Sequence, residues 1–188
     1  DIDGPITFDS ANGSFIAKNN GTEFSVADSS YAGMILGYRC IGEDVSYASY
    51  ALTTGFVVPN SSMTVRFIAP PSGNVEVMIQ IWANTSTSNR SLTLGLSDNA
   101  TYNTIGVEYE QVAYYPDETD DNLIHHVWCV SGLTAGDTYN YWLGAKTSAT
   151  NNYLVWGGDA SGRYPEFIMK VTALPAAFAS PSPAFFAA

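Results

Sequence analysis

The sequence predicts an all-β protein: an antiparallel β-sandwich, jelly-roll-like in arrangement, with an N-terminal β-meander arm and an extended C-terminal tail. Three observations lead there. Short runs rich in Val, Ile, Tyr, Phe and Thr alternate large apolar with small or polar residues at period two. Residues that favour turns or accept a left-handed φ separate the runs. No window keeps a helical period over three turns with a cap at each end, so minimal helix is expected.

Residues 1–30 read as an arm or shaft end. Ile6–Asp9, Phe15–Ala17 and Thr22–Val26 are short strands divided by turns at Asn12-Gly13 and Asn19-Asn20-Gly21. A meander of that size buries little alone, so it is expected to pack on the sandwich or on a neighbouring chain.

Residues 31–175 form the body. Its clearest strands are Thr64–Ala69, Val75–Ala83, Ser91–Ser97, Gly106–Tyr115, Ile124–Val130, Tyr139–Thr147, Tyr153–Trp156 and Phe167–Ala173. Turns are expected at Pro70–Asn74, Ser97–Asn99, Ala135–Asp137 and Asn151–Asn152. Eight or more antiparallel strands without a repeat period suggest a jelly roll, with an up-and-down barrel as the alternative. In the segment 75–82, odd positions place Val75, Val77, Ile79 and Ile81 on one face. Even positions give Glu76, Met78, Gln80 and Trp82, a mixed face suited to an interface. Leu133, Gly136 and Tyr139 have the spacing of a tyrosine corner, a phenol clamping a loop that crosses between sheets. That spacing is similar to fibronectin type III domains, although the strands are too many for one such domain and too few for two.

Residues 176–188 form an uncharged Pro/Ala/Phe tail of extended character. Phe178, Phe185 and Phe186 are its apolar anchors, expected to pack on a neighbouring subunit together with Trp82. A chain beginning at Asp1 without Met is expected to be either a processed product or, in preference, the ordered part of a longer polypeptide.

Composition limits the function. Seven Lys and Arg against eighteen Asp and Glu give a net charge of −11, which repels phosphate backbones and anionic lipid, so nucleic acid is not an expected partner. Only 13% of residues are charged while 46% are hydrophobic, leaving Asn, Ser, Thr and Gly to cover the surface. No apolar run approaches the ~20 residues of a membrane-spanning helix. Cys40 and Cys129 have no C-x-x-C spacing; they read as two buried thiols or as a single bridge.

Candidate chemistry is sparse, and no catalytic residues and no cofactor are expected. Asp117, Glu118, Asp120 and Asp121 offer enough oxygen to hold Ca²⁺, but their spacing matches no specific calcium loop, and a solvated acidic loop is the plainer reading. His125 and His126 are adjacent, so in a strand they face opposite sides and cannot chelate one ion together. No serine or cysteine sits in a G-x-S-x-G setting. Glu108 and Glu110 share a strand face, as glycosidase carboxylates can, but otherwise form a solvent-facing polar stripe. Tyr114 and Tyr115 beside a turn are candidate sugar-stacking residues, with Trp82, Trp142 and Trp156 more simply explained as core. Six N-x-S/T sequons, at Asn12, Asn20, Asn60, Asn84, Asn89 and Asn99, arise readily in so Asn/Ser/Thr-rich a chain.

Several blocks carry a family resemblance: Tyr50–Phe56 (YALTTGF), Val65–Val77 (VRFIAPPSGNVEV), Val130–Thr134 (VSGLT), Tyr141–Lys146 (YWLGAK) and Tyr164–Pro175 (YPEFIMKVTALP). Together, over about 50–175, they resemble the C-terminal β-domains of tailed-bacteriophage virion proteins, namely fibre, tail-appendage and head-decoration proteins. The resemblance implies a structural protein displayed on a virion, commonly a homotrimer, that stabilises the particle or attaches to a host-surface glycan. It supplies no catalytic residues. The hydrophobic tail after Pro175 departs from that pattern. An extracellular carbohydrate-binding β-sandwich is the alternative, resting on Tyr114, Tyr115 and the acidic loop after them.

Overall fold

The longest strand organises the molecule. The computed structural model describes residues 18–19, 22–23, 32–42, 48–85, 90–103, 109–115, 121–150, 152–159 and 162–175. Strand β6 (Val75–Thr85) has eleven residues and serves two neighbours on one edge. Along Val75–Gln80 it pairs with β14 (Phe167–Ala173), and along Trp82–Thr85 with β11 (Asn152–Trp156). Its other edge is taken along nearly its whole length by β9 (Asp121–Val130). Beyond β14 lies β3 (Ile35–Ile41), and beyond β11 lies β4 (Ala48–Ala51), completing the long sheet. The short sheet runs β5 (Thr64–Ile68), β10 (Thr138–Thr147), β7 (Arg90–Ser97), β8 (Glu110–Tyr115). Two small hairpins, β1 (Lys18–Asn19) with β2 (Thr22–Glu23) and β12 (Gly158–Asp159) with β13 (Gly162–Arg163), stand apart. Every pairing is antiparallel, and no α-helix occurs among the described residues.

The pairings are nested. Strand β7 pairs β8, β6 pairs β9, β5 pairs β10, β4 pairs β11 and β3 pairs β14. One long hairpin is thus folded across two sheets, with β3-β14-β6-β9 in one and β5-β10-β7-β8 in the other, which is jelly-roll topology. The expected all-β sandwich is therefore what forms.

Period-two patterning explains why. Val75, Val77, Ile79 and Ile81 are fully buried between the sheets, with Phe167, Met169 and Val171 beside them on β14. Leu92, Leu94 and Leu96 of β7, and Leu143 of β10, face them from the short sheet. Each such side chain, once fully buried, contributes about 1.5–3 kcal/mol of hydrophobic stabilisation. Turn chemistry agrees: Gly73 at φ +66° donates its N–H to Pro70 O at 2.8 Å. The tyrosine corner is present, since the Thr134 N–H donates to the Tyr139 hydroxyl at 3.0 Å.

Strands β3 and β4 have no counterpart among the strands expected from the sequence. In β3 (ILGYRCI) the alternation is broken by Gly37, and a β-bulge interrupts its register with β14. That glycine is sterically required: a Cβ there would lie 2.7 Å from the Arg66 carbonyl oxygen of β5. In the arm, Lys18–Asn19 pairs with Thr22–Glu23; the expected strands Ile6–Asp9 and Phe15–Ala17 lie outside the described residues.

Candidate functional site

In an antiparallel sheet, directly opposed residues share a face, so the registers of the long sheet define its outer surface row by row. Thr172, Glu76 and Cys129 form one row, with Ile35 opposite Thr172 across the bulge. Tyr38, Lys170, Met78 and Val127 form the next. Cys40, Ile168, Gln80 and His125 follow, and then Trp82 and Leu123. Of the six exposed large hydrophobics among the described residues, four lie here: Ile35 and Tyr38 at 57%, Leu123 at 47% and Val127 at 36%. The even positions of β6 singled out in the sequence thus form the middle of a four-strand apolar face. Glu76 and Lys170 are its only carboxylate and ammonium among these rows.

Trp82 closes one end of the face. Its ring stands 6.0 Å from that of Tyr164, and its buried indole N–H finds no acceptor. Phe178, Phe185 and Phe186 lie outside the described residues.

The β7–β10 part of the outer face of the short sheet is covered by the chain itself. Gly95 and Gly144 form a flat seat for Tyr102: a Cβ on Gly144 would collide with the Tyr102 ring, and one on Gly95 with its hydroxyl. Phe56 stacks on Tyr102 with ring centroids 4.2 Å apart, and the Lys146 ammonium sits 4.2 Å above the Phe56 ring. Two backbone hydrogen bonds between Val57 and Ala145, of 3.0 and 2.9 Å, hold the loop that carries Phe56. Neither Phe56 nor Tyr102 stands out in the sequence, because their contact depends on two glycines in different strands.

The sequence-derived candidates do not converge. The backbones of Tyr114 and Tyr115 lie on edge strand β8 opposite Ser91 and Arg90. Trp156 is core, Trp82 is on the outer face of the long sheet, and Trp142 shares a row with Thr64 and Ser97 on the outer face of the short one. The tryptophans therefore make no common platform. Asp117, Glu118, Asp120 and Glu108 lie outside the described residues; Asp121 opens β9 opposite Asn84, and Glu110 opens β8 opposite Gly95. Among the described residues no group of three or more His, Cys, Asp or Glu could hold a metal ion. Cys40 and Cys129 are not joined: they sit on β3 and β9, three strand spacings (about 14 Å) apart across the sheet and two rows apart along it. Burial, and secondarily Glu76, raise the Cys129 pKa.

His125 and His126 diverge as adjacency requires. His125 is exposed, whereas His126 turns inward and meets Trp128 edge-on at 4.5 Å. Burial chiefly, and His125 secondarily, lower the His126 pKa, and its Nε2 is buried without a partner. Asn60 and Asn99 use their side-chain oxygens to accept the N–H of Ser62 and Thr101, bracing their own turns. A shallow cleft of about 250 Å³ opens between β3 and β5, lined by Leu36, Arg66, Phe67, Ile68 and Thr138. That is smaller than ordinary small-molecule pockets of roughly 300–1,000 Å³.

The fold and its surfaces define an all-β jelly-roll sandwich whose short sheet is covered by the chain itself over β7 and β10. No protein-family pattern and no curated protein matches the chain. Among solved structures it is similar to dimeric latent PorU from Porphyromonas gingivalis, with a TM-score of 0.34 and 10% identity over 77% of this chain and 13% of that one. A second is the enzymatically active domain of tailspike protein 4 from bacteriophage CBA120, with a TM-score of 0.24 and 11% identity over 63% of this chain and 18% of that one. The chain thus spans less than a fifth of either neighbour, and at these scores neither assigns it a family or an activity.

Proposed function

We propose that the chain is a non-catalytic structural component of a tailed-bacteriophage virion, a fibre, appendage or head-decoration protein that works through assembly and display. The single observation that carries the reading is the contrast between polar candidates that do not converge and an outer sheet face of Tyr38, Met78, Val127, Ile168 and Leu123. A face that combines large apolar side chains with few charges is the composition of an interface core. The motif blocks between 50 and 175 supply the virion context, and with it the homotrimer and the attachment to a host-surface glycan that the resemblance implies. In that assembly Phe178, Phe185 and Phe186 anchor one subunit to the next.

The test is immunogold electron microscopy with antibody raised against this chain, applied to particles released by cultures of its source. Gold at a fixed place on the particle is the expected result. Unlabelled particles, with the antigen left in the particle-free supernatant, would reject the reading.

A further inference from the structure

We propose that the outer face of the long sheet is a self-recognition surface that packs face to face against the same surface of a second copy of this chain. The choice of a second copy rests on the assembly reading above; the surface itself rests on the strand registers.

Size is the first argument. Three rows across four strands and a fourth across two, at about 4.8 Å between strands and about 6.8 Å between rows, outline about 450 Å². That matches the size of the largest patches on typical monomers, although Thr172, Glu76, Lys170, Gln80 and His125 lie among its apolar residues. Buried on both copies it gives about 900 Å², just below the lower bound of a specific interface. The contact is accordingly a weak one, strengthened where copies are held at high local concentration.

Charge is the second argument. The chain carries a net charge of −11, so two copies repel over most of their surface. This face holds Glu76 and Lys170 in adjacent rows on adjacent strands, and they balance. A two-fold axis running along the strands between β14 and β6 places Tyr38 of one copy against Val127 of the other. The same axis brings Lys170 within one row of the second copy's Glu76. Each contact is made twice, as an isologous interface requires. Two sheets packed so keep their strands aligned, within the roughly 30° range of ordinary aligned β-sandwiches.

Sedimentation equilibrium of the full chain, over low to high micromolar concentration, tests the proposal. Under identical conditions the wild type is expected to reach twice the mass of Val127→Glu, whether the building block is one chain or a trimer. Glu76→Lys and Lys170→Glu should each weaken association at least ten-fold, and the double exchange should restore it. Cys129, exposed on the same face, should react more slowly with maleimide as the wild-type concentration rises, but not in Val127→Glu. Far-UV circular dichroism confirms that each variant folds.

Equal mass for wild type and Val127→Glu at every concentration overturns the proposal, whether the face stays bare or residues 176–188 cover it. Failure of the double exchange to restore association overturns the axis and with it the proposal. Labelled particles together with a face-independent mass would reject this interface and leave the virion reading standing. Unlabelled particles together with a face-dependent doubling would do the reverse.

Discussion

The two sheets finish their outer surfaces in opposite ways. The short sheet places Gly95 and Gly144 side by side and lays Tyr102 and then Phe56 over them, so the part of its outer face formed by β7 and β10 is covered by the same chain, while Arg66 and Ile68 of β5 stay exposed. The long sheet sets Tyr38, Met78 and Val127 in the corresponding position and covers them with none of the described residues. The difference separates stability from recognition. Aromatic surface buried within the chain adds to folding free energy, whereas aromatic surface left open contributes only when something binds it.

That contrast can be broken most severely at the glycine seat. Gly144→Val drives a branched side chain into the Tyr102 ring, and overpacking of this kind is expected to destabilise the fold by about 2–3 kcal/mol, measured by urea unfolding. Phe56→Ala removes the upper ring and the surface beneath Lys146, and should lower stability by about 1.5 kcal/mol in the same assay. Loss of stability from neither substitution would mean that the covered face is no more than incidental contact.

A third prediction concerns the inner side of the long sheet. The folded state lowers the His126 pKa from 6.5, so the unfolded chain binds the extra proton as pH falls. Stability from the neutral ring is complete above about pH 6.5 and is lost as pH drops through the folded-state value. The urea midpoint of His126→Phe, relative to wild type, should therefore be constant above pH 6.5 and rise below it. A constant difference across the whole range would show that His126 does not titrate between the two states.

The smallest effect is expected on the open face. Tyr38→Ser and Val127→Ser should each change the unfolding free energy of the dilute chain by no more than about 0.5 kcal/mol. A loss as large as that of Phe56→Ala would show that the face is covered after all by its own chain.

Much of the sandwich was legible in the sequence, and the reasons are local. Phe167, Met169, Val171 and Ala173 alternate with half-buried residues over seven positions, so the strand can be read without its partners. The turn at 70–74 announces itself through Pro, Gly and Asn. Strand β3 was not legible because Gly37, the bulge and an edge position each break the alternation. The outer face was visible only in part: period two exposes Glu76, Met78, Gln80 and Trp82, but no local pattern says that Tyr38 and Val127 lie in the same row as Met78. Register between segments forty or more residues apart is set by packing of the whole fold. The apparent likeness of Trp82, Trp142 and Trp156 dissolves for the same reason, since parity within different strands sends them to different surfaces.

Nesting leaves the two ends of the body side by side. The Gly33 N–H donates to Ala173 O at 2.8 Å, Ala173 N–H returns the bond to Met34 O, and the Asn74 side chain fastens Pro175 through its carbonyl at 3.1 Å. A load that pulls these ends apart acts at one end of the outermost ladder, between β3 and β14, with its bonds perpendicular to the strands. Those bonds then fail one after another, like a seam being unstitched. The domain is mechanically soft to tension through its own backbone, and a stiff filament built from it must carry force across faces between copies.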